Sequence, residues 1–317
     1  MELKWAAQRE GKLSSFLLGE LRMSAGLMNK YKWGDGIRVN GVPQRTNYPV
    51  KIGDIITVTW EEAAPDYPAE DGALTVLYED DFLLAVDKPA GMLIHPSHSQ
   101  NTGTLANLVY GYYQKTGHSG AFHPMTRLDR DTFGIVLLAK NAHVHNLLQQ
   151  MPIRKTYHAL TFGGPEEAEG VIDAPIARKP LPSLLREIRP DGKPSVTRFR
   201  VLERRGEICK LALEPVTGRT HQLRLHCAWR GFPILGDPQY GNSQSQALSQ
   251  QLGLSSQMLC AKRLELVHPM TGENMVLESG MDVEPILREN VEIPSMLQEV
   301  AEMESRCGGK RTPGHVH

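Results

Sequence analysis

The feature that most constrains this chain is a short acidic break. Residues 61–72, E-E-A-A-P-D-Y-P-A-E-D-G, carry five acidic residues, two prolines and no basic residue. Proline fixes φ and supplies no amide donor, so neither a helix interior nor a central strand runs through such a stretch. An extended, solvated linker is the expectation. It divides the 317 residues into a small block and a large one. The expected organisation is a small domain at 1–60, the linker at 61–73, a large domain at 74–282 and a tail at 283–317.

In the small block, Leu13 through Leu21 has helical spacing of apolar residues, and Ser24 opens a second helical stretch, Ala25 to Lys32. Ile37-Arg38-Val39-Asn40-Gly41-Val42 reads as a strand, an Asn-Gly turn and a return. A turn at Ile52-Gly53-Asp54 leads into the alternating strand Ile55 to Trp60. The block holds nine Lys and Arg against five Asp and Glu. Two helices followed by short strands on a basic background resemble the small RNA-binding domain first described in a ribosomal small-subunit protein. The V-N-G and G-D-x-I-x-V elements carry that likeness; a generic α+β cap is the plainer alternative.

The large block is dominated by strands. Leu74 to Tyr78 and Phe82 to Asp87 flank an acidic turn, and Met92-Leu93-Ile94 is expected to resume the strand after Lys88-Pro89-Ala90-Gly91. Further strands are expected at Ile135 to Ala139, Thr156 to Phe162, Ser195 to Leu202, Ile208 to Glu214 and Met275 to Glu278. Helices fit Thr104 to Thr116, Ala142 to Gln150 and Thr220 to Trp229. Strands seldom alternate singly with helices, which disfavours a doubly wound parallel fold. The expected class is α+β, a central mixed, mainly antiparallel sheet with flanking helices. From Val283 a loosely held helix and a Gly/Pro/His tail are expected.

Net charge is −1, so no uniformly basic coat exists. Residues 121–280 nevertheless hold 20 basic against 15 acidic residues, while 61–80 hold seven acids and no base. A polyanion is drawn to the two basic blocks and repelled by the connector. No apolar run approaches the roughly 20 residues of a membrane span. The N-terminus lacks a basic region followed by an apolar core, so no secretory signal is expected. The four cysteines show no C-x-x-C spacing and read as free thiols of a reducing compartment. A cytoplasmic, monomeric protein is the expectation.

Three clusters can carry chemistry. Thr126-Arg127-Leu128-Asp129-Arg130-Asp131-Thr132-Phe133-Gly134 sets two carboxylates among arginines just before an apolar strand. Opposite charges hold such carboxylates ionised; a salt-bridged surface turn is the equal alternative. Thr217 through His226 puts Gly218 at a turn, Thr220 as a candidate cap, and Arg219 and His221 near a helix N-terminus suited to anions. Arg154-Lys155-Thr156-Tyr157-His158 is a strand on which Lys155 and Tyr157 share one face. His95, His98, His118 and His123 lack helix-borne spacing and an acidic partner, so no metal site is expected.

Taken in order, the clusters resemble the RluA family of pseudouridine synthases. K-P-x-G is met by Lys88-Pro89-Ala90-Gly91, R-L-D-x-x-T-x-G by Arg127 through Gly134, and K-x-Y by Lys155-Thr156-Tyr157. G-R-T-H-Q-L-R-x-H is met by Gly218 through His226, and G-D-x-x-Y-G by Gly236 through Gly241. A closing L-x-A and H-P-x-T-G stretch is met by Leu259-Cys260-Ala261 and His268 through Gly272. Thr126 stands where members usually have His, and Phe133 where they have a small hydroxyl residue. The first is expected to alter contacts to RNA near the target base, the second to repack behind the loop.

The resemblance implies a reaction in which the uracil-to-ribose bond breaks, the base turns, and a carbon linkage forms. It implies structured RNA as partner and no redox cofactor, nucleotide or metal. By the same likeness Asp129 is the catalytic carboxylate, Arg224 its ion-pair partner and Tyr157 the residue that stacks on uracil and helps the late proton abstraction from the carbon that becomes the new linkage. Arg127 fills the space the flipped base leaves or holds the flipped-out strand. Arg219, His221, Gln222, Leu225 and Lys155 are expected to contact substrate. Ribosomal large-subunit RNA is the first expectation and transfer RNA the second. A catalytically silent RNA-binding or ribosome-assembly protein on the same fold is the alternative that Thr126 and Phe133 raise.

Overall fold

Asn40 and Gly41 both take positive φ, 52° and 81°, and this left-handed pair turns Ile37–Val39 back on Val42–Pro43. A computed structural model of the chain describes residues 2–59, 64–97, 99–118, 121–180, 182–183 and 185–283. The expected tail helix and Cys307 lie outside the described residues. The hairpin belongs to a four-stranded sheet in the order Glu2–Ala6, Ile55–Thr59, Ile37–Val39, Val42–Pro43. Leu13, Phe16 and Leu17, from the first helical stretch, are fully buried against Ile37, Ile56 and Val58 of this sheet. Ser24 caps the helix Ala25–Tyr31 by accepting the Leu27 amide. Phe82 and Met270 of the large block pack into this same core. Residues up to Val283 accordingly form one compact unit.

The described part of the break is held to the protein, where its composition predicts a solvated linker. Residues 67–72 lie along the helix Leu105–Thr116. Asn107 donates to Pro68 O at 2.8 Å, the Glu70 amide donates to Asn107 O at 3.0 Å, and the Gly103 amide donates to the Glu70 carboxylate. Asp71 pairs with Lys115, and Tyr67 meets Tyr110 edge-on. Acidic composition favours solvation only where no donors converge on it; here a helix N-terminus and Lys115 supply them.

The large block is built on a sheet in the order Glu169–Asp173, Val196–Arg205, Ile208–Pro215, Arg154–Phe162, Leu259–Val267, Phe133–Ala139, Leu83–Lys88, Thr75–Glu79. Phe133–Gly134 run parallel to Cys260–Ala261, and every other strand pairing among the described residues is antiparallel. This is the mixed, mainly antiparallel sheet expected. Leu83–Lys88 and Phe133–Ala139 are buried along their whole length. Leu105, Val109 and Tyr113 of one helix cover Leu84, Val86 and Val136, while Val144 and Leu148 of Ala142–Gln149 join Leu83, Ala85 and Ile135. Two covered faces explain why these strands read as continuous apolar runs. Leu223 and Cys227 of the helix Gln222–Trp229 pack on Tyr157, Ala159 and Leu211.

Two local expectations fail for physical reasons. Met92–Ile94 is not a strand: Met92 O accepts Lys88 Nζ, and the Leu93 and Ile94 carbonyls accept the Leu105 and Ala106 amides at a helix start. The helix Ser243–Gln251 was not expected, since S-Q-S-Q-A-L-S-Q-Q has almost no apolar period; Asn242 caps it and Ser245 and Ser249 are buried polar residues. No helix among the described residues is long and apolar enough to cross a membrane.

Candidate active site

The loop Arg127–Thr132 enters the central sheet where two strands run parallel and very close. Gly134 has φ 107°, and a Cβ there would lie 2.4 Å from Ala261 O, so only glycine fits. Thr132 is buried, gives its amide to Asp129 O at 3.2 Å, and accepts Gln257 Nε2 at 2.6 Å. Lys88 secures the other side. Its fully buried ammonium donates to Pro89 O, Met92 O and Arg130 O, each at 2.9 Å. Burial brings its pKa down to about 8, against the opposing pull of Asp131 and Asp129. The K-P-A-G turn and the Asp129 loop are thus tied together through one side chain.

Arg224 approaches Asp129 from the helix Gln222–Trp229. Thr220 does not cap this helix. His221 occupies the cap position in the left-handed region, φ 57°, and makes no side-chain cap bond. The Gln222 amide does the work of closing this turn. Its Oε1 accepts Thr217 Oγ1 and the Arg219 amide, and its Nε2 donates to Val196 O and Thr197 Oγ1. Gln222, expected to touch substrate, is therefore buried and fully engaged within the protein. Continuing the network, His226 donates Nε2–H to Ala174 O at 3.0 Å and meets Thr197 Oγ1 through Nδ1 at 2.9 Å.

The Arg224 guanidinium is a fork with two unequal carboxylates. Nε and Nη2 donate to the two oxygens of Asp237 at 2.7 and 2.8 Å, and Nη2 also reaches Gln239 Oε1 at 2.9 Å. Nη1 donates to Asp129 Oδ2 at 3.1 Å. The Asp237 side chain is 1% exposed and that of Asp129 is 29% exposed. Burial opposes the charge of Arg224, but Asp237 first and Asp129 second outweigh it and raise its pKa. The Tyr240 ring lies 5.1 Å beneath the guanidinium carbon, and its hydroxyl accepts the Arg186 amide and meets His221 Nδ1 at 3.0 Å. The G-D-x-x-Y-G element is thus the cradle of Arg224. Gly236 belongs to it because a Cβ there would meet Ser256 O at 2.1 Å.

Asp129 and Arg224 line one cleft of about 610 Å³ together with Arg127, Lys155, Tyr157, Arg219 and His221. Arg127 and Arg219 are exposed; Arg219 Nε donates to Pro194 O. Lys155 has no hydrogen-bond or ion-pair partner among the described residues, and burial, then Arg127, lower its pKa.. Burial, then the Asp129 charge, pushes the Tyr157 phenol above its ordinary value. His221 Nε2 stands 4.0 Å from Asp129 Oδ2, and burial lowers its pKa. Leu225 is buried but does not line the cleft; Leu128, Leu223 and Leu259 supply its apolar wall. Thr126 is 1% exposed and accepts the Leu137 amide at 3.0 Å, so it cannot contact RNA in this arrangement. Phe133 is buried in its strand. Lys88, Asp237, Gln239 and Tyr240 all lie within two of the motifs, yet nothing in the spacing of those motifs points to their part in the site.

The other side of the strand Arg154–Phe162 carries a second ion-pair centre. Tyr157 faces the cleft, while His158 Nδ1 lies 3.1 Å from both oxygens of Asp282. Lys210 and Lys262 stand 3.4 and 3.8 Å from Asp282 Oδ2, and the Val283 amide donates to Oδ1. Burial opposes ionisation of Asp282, yet His158, the amide and Lys210 together bring its pKa down to about 2.

Residues 82–229 match the family model described as RNA pseudouridylate synthase. An uncharacterized RNA pseudouridine synthase of Bacillus subtilis (strain 168), YjbO, is 36% identical over 264 residues, 81% of this chain and 91% of the relative. Ribosomal large subunit pseudouridine synthase C of Vibrio cholerae is 31% identical over 262 residues, 78% of this chain and 81% of the relative. The solved structure of human RNA pseudouridylate synthase domain containing 4 has a TM-score of 0.54 at 24% identity and covers 68% of this chain and 93% of its own. That likeness is one of fold.

Proposed function

The chain belongs to the RluA-type family of RNA pseudouridine synthases, and from that premise we propose that Asp129 is the carboxylate that opens the glycosidic bond of a flipped-out uridine. The observation that carries this reading is the unequal fork of Arg224. Asp237 takes two of its bonds in a buried pair, Gln239 takes one, and the remaining bond goes to a carboxylate that stays open to the cleft. An ionised Asp129 attacks the anomeric carbon, or takes a ribose proton to leave a glycal; both routes begin from the same held carboxylate. Uracil then turns and rejoins the sugar through carbon; the proton on that carbon is lost and the ring nitrogen freed from the sugar gains one. Atoms are conserved throughout, so this is an isomerisation.

Tyr157 stacks on the uracil. A phenol held above its ordinary pKa stays protonated at neutral pH and supplies little phenolate for proton abstraction, so stacking is the better supported part of its role. Arg127, Lys155 and Arg219 supply cations to the phosphates around the flipped nucleotide, and Arg127, exposed at the cleft edge, is positioned to occupy the vacated stack. Gln222 positions Arg219 and the helix instead of touching RNA. Large-subunit ribosomal RNA is the proposed substrate, supported by the name of the Vibrio cholerae relative, with transfer RNA as the competing class.

The test is Asp129→Asn. Pseudouridine formation disappears while RNA affinity is kept; full activity in that variant overturns the assignment. Mapping pseudouridines in a strain lacking the gene then decides the RNA: a site lost from the large subunit supports the proposal, and a site lost only from transfer RNA overturns that part of it.

A further inference from the structure

The small domain carries a feature that the chemistry at Asp129 does not use. Trp33 is 74% exposed, the largest exposure among its large apolar side chains. Its ring has Lys32 Nζ at 5.3 Å and the Arg45 guanidinium at 5.6 Å from the centroid, within cation–π range. Lys30 lies one turn of chain away over Tyr31. None of these three cations has a carboxylate partner among the described residues; Asp35 is the one acid lining the same cleft. The cleft has a volume of about 600 Å³ and includes Trp33, Arg45, Asn47 and Tyr48.

The loops that form it are fixed. Gly36 O accepts the Thr59 amide at 2.7 Å, and a Cβ at Gly36 would lie 2.9 Å from Thr59 O, which pins the Trp33 loop to the sheet. The Arg45 loop is closed by Tyr48 N to Arg45 O at 2.9 Å. It is tied to the first helical stretch through Leu13 N to Tyr48 O and Ser14 N to Thr46 O. An ordered aromatic face costs little further entropy when a ligand is laid on it. Phosphate affinity alone needs cations but no aromatic ring. A ring kept in water among unpaired cations has the chemistry of a base-stacking platform with phosphate partners on its rim.

We propose that the cleft at Trp33, Lys32 and Arg45 binds an unpaired nucleobase of an RNA strand, with the base stacked on the indole and the flanking phosphates at Lys32, Arg45 and Lys30. It deepens the RNA-modifying reading above and rests on it for the identity of the polymer. A double helix does not fit, because its bases are already stacked on one another.

The test uses the full-length protein and two labelled RNAs of about a dozen nucleotides, one unstructured and one a duplex. Trp33→Ala weakens binding of the single strand about tenfold, leaves the duplex unchanged, and Trp33→Phe restores most of the loss. Removing Lys32 and Arg45 together lowers the slope of affinity against salt by roughly one unit. Equal weakening of both RNAs overturns the proposal by making the patch a backbone contact, and no dependence on Trp33 overturns it by leaving the patch to a protein partner. The measurement is repeated in Asp129→Asn. If Trp33-dependent binding persists where neither parent nor variant makes pseudouridine, the activity assignment fails and this site stands.

Discussion

Asp129 and Asp282 are aspartates held by cations on opposite sides of one strand, and they are held very differently. Asp282 is surrounded by His158, Lys210, Lys262 and a backbone amide. Asp129 receives one guanidinium N–H at 3.1 Å and keeps 29% of its side-chain surface in the cleft. The first carboxylate has its oxygens committed to the protein and fixes the chain where it leaves the sheet. The second is oriented but still has lone pairs facing outward. Orientation without full ligation distinguishes a carboxylate that can react from one that only holds structure.

The comparison breaks most visibly at Asp129. Asp129→Asn lowers pseudouridine formation by at least about a thousandfold, while unfolding free energy shifts by less than about 1 kcal/mol because the side chain is partly solvated. Retained activity in a single-turnover assay would end the contrast. Asp237→Asn tests the hidden half of the fork. It strands Arg224 in a buried site and destabilises the fold by about 3 kcal/mol in denaturant titrations, with a loss of activity as Arg224 leaves Asp129. Wild-type activity there shows that Asp129 needs no such support.

Asp282→Asn should do the reverse of Asp129→Asn. Its carboxyl sits near 2 against an ordinary 3.8, so ionisation favours the folded state. That gain is whole above about pH 4 and is lost as pH falls through about 2. At neutral pH the substitution costs about 1 to 2 kcal/mol once solvent screening is allowed for, with catalysis unchanged; the difference vanishes only below about pH 2. The smallest effect belongs to Thr126→Val, which strands the Leu137 amide and costs about 1 kcal/mol. The set of modified uridines stays the same; a changed set would show that Thr126 reaches RNA after all.

The sequence carried the cleft further than it carried its supports. Asp129, Tyr157, Lys155 and Arg224 meet as their motifs imply, because each motif places a side chain at a strand or helix end. What holds them was not readable. The Arg224–Asp237 pair lies within one motif-rich segment, but its bidentate geometry depends on a glycine turn at Gly236 that composition does not specify. Asp282 and His158 are 124 residues apart, and no local period links them. Leu225 and Gln222 stand in the same motif as Arg224, but helix rotation turns the first into the interior and engages the second with Val196, Thr197, Thr217 and Arg219. The helix Ser243–Gln251 escaped notice because it buries serines, which hydrophobic periodicity cannot register.

The seam formed by Phe82 and Met270 in the core of the small domain has a consequence for how long RNAs are chosen. Two sites joined by a loose tether sample many separations, and any RNA with both features can satisfy them. With the connector strapped to a helix and apolar side chains bridging the two sheets, the cleft at Asp129 and the ring of Trp33 keep one spacing. An RNA whose unpaired base falls at that spacing from the target uridine gains the second contact at high effective concentration, and one that misses it gains nothing. Selection then works as a caliper works, by span, with no base of the sequence between the two points being read.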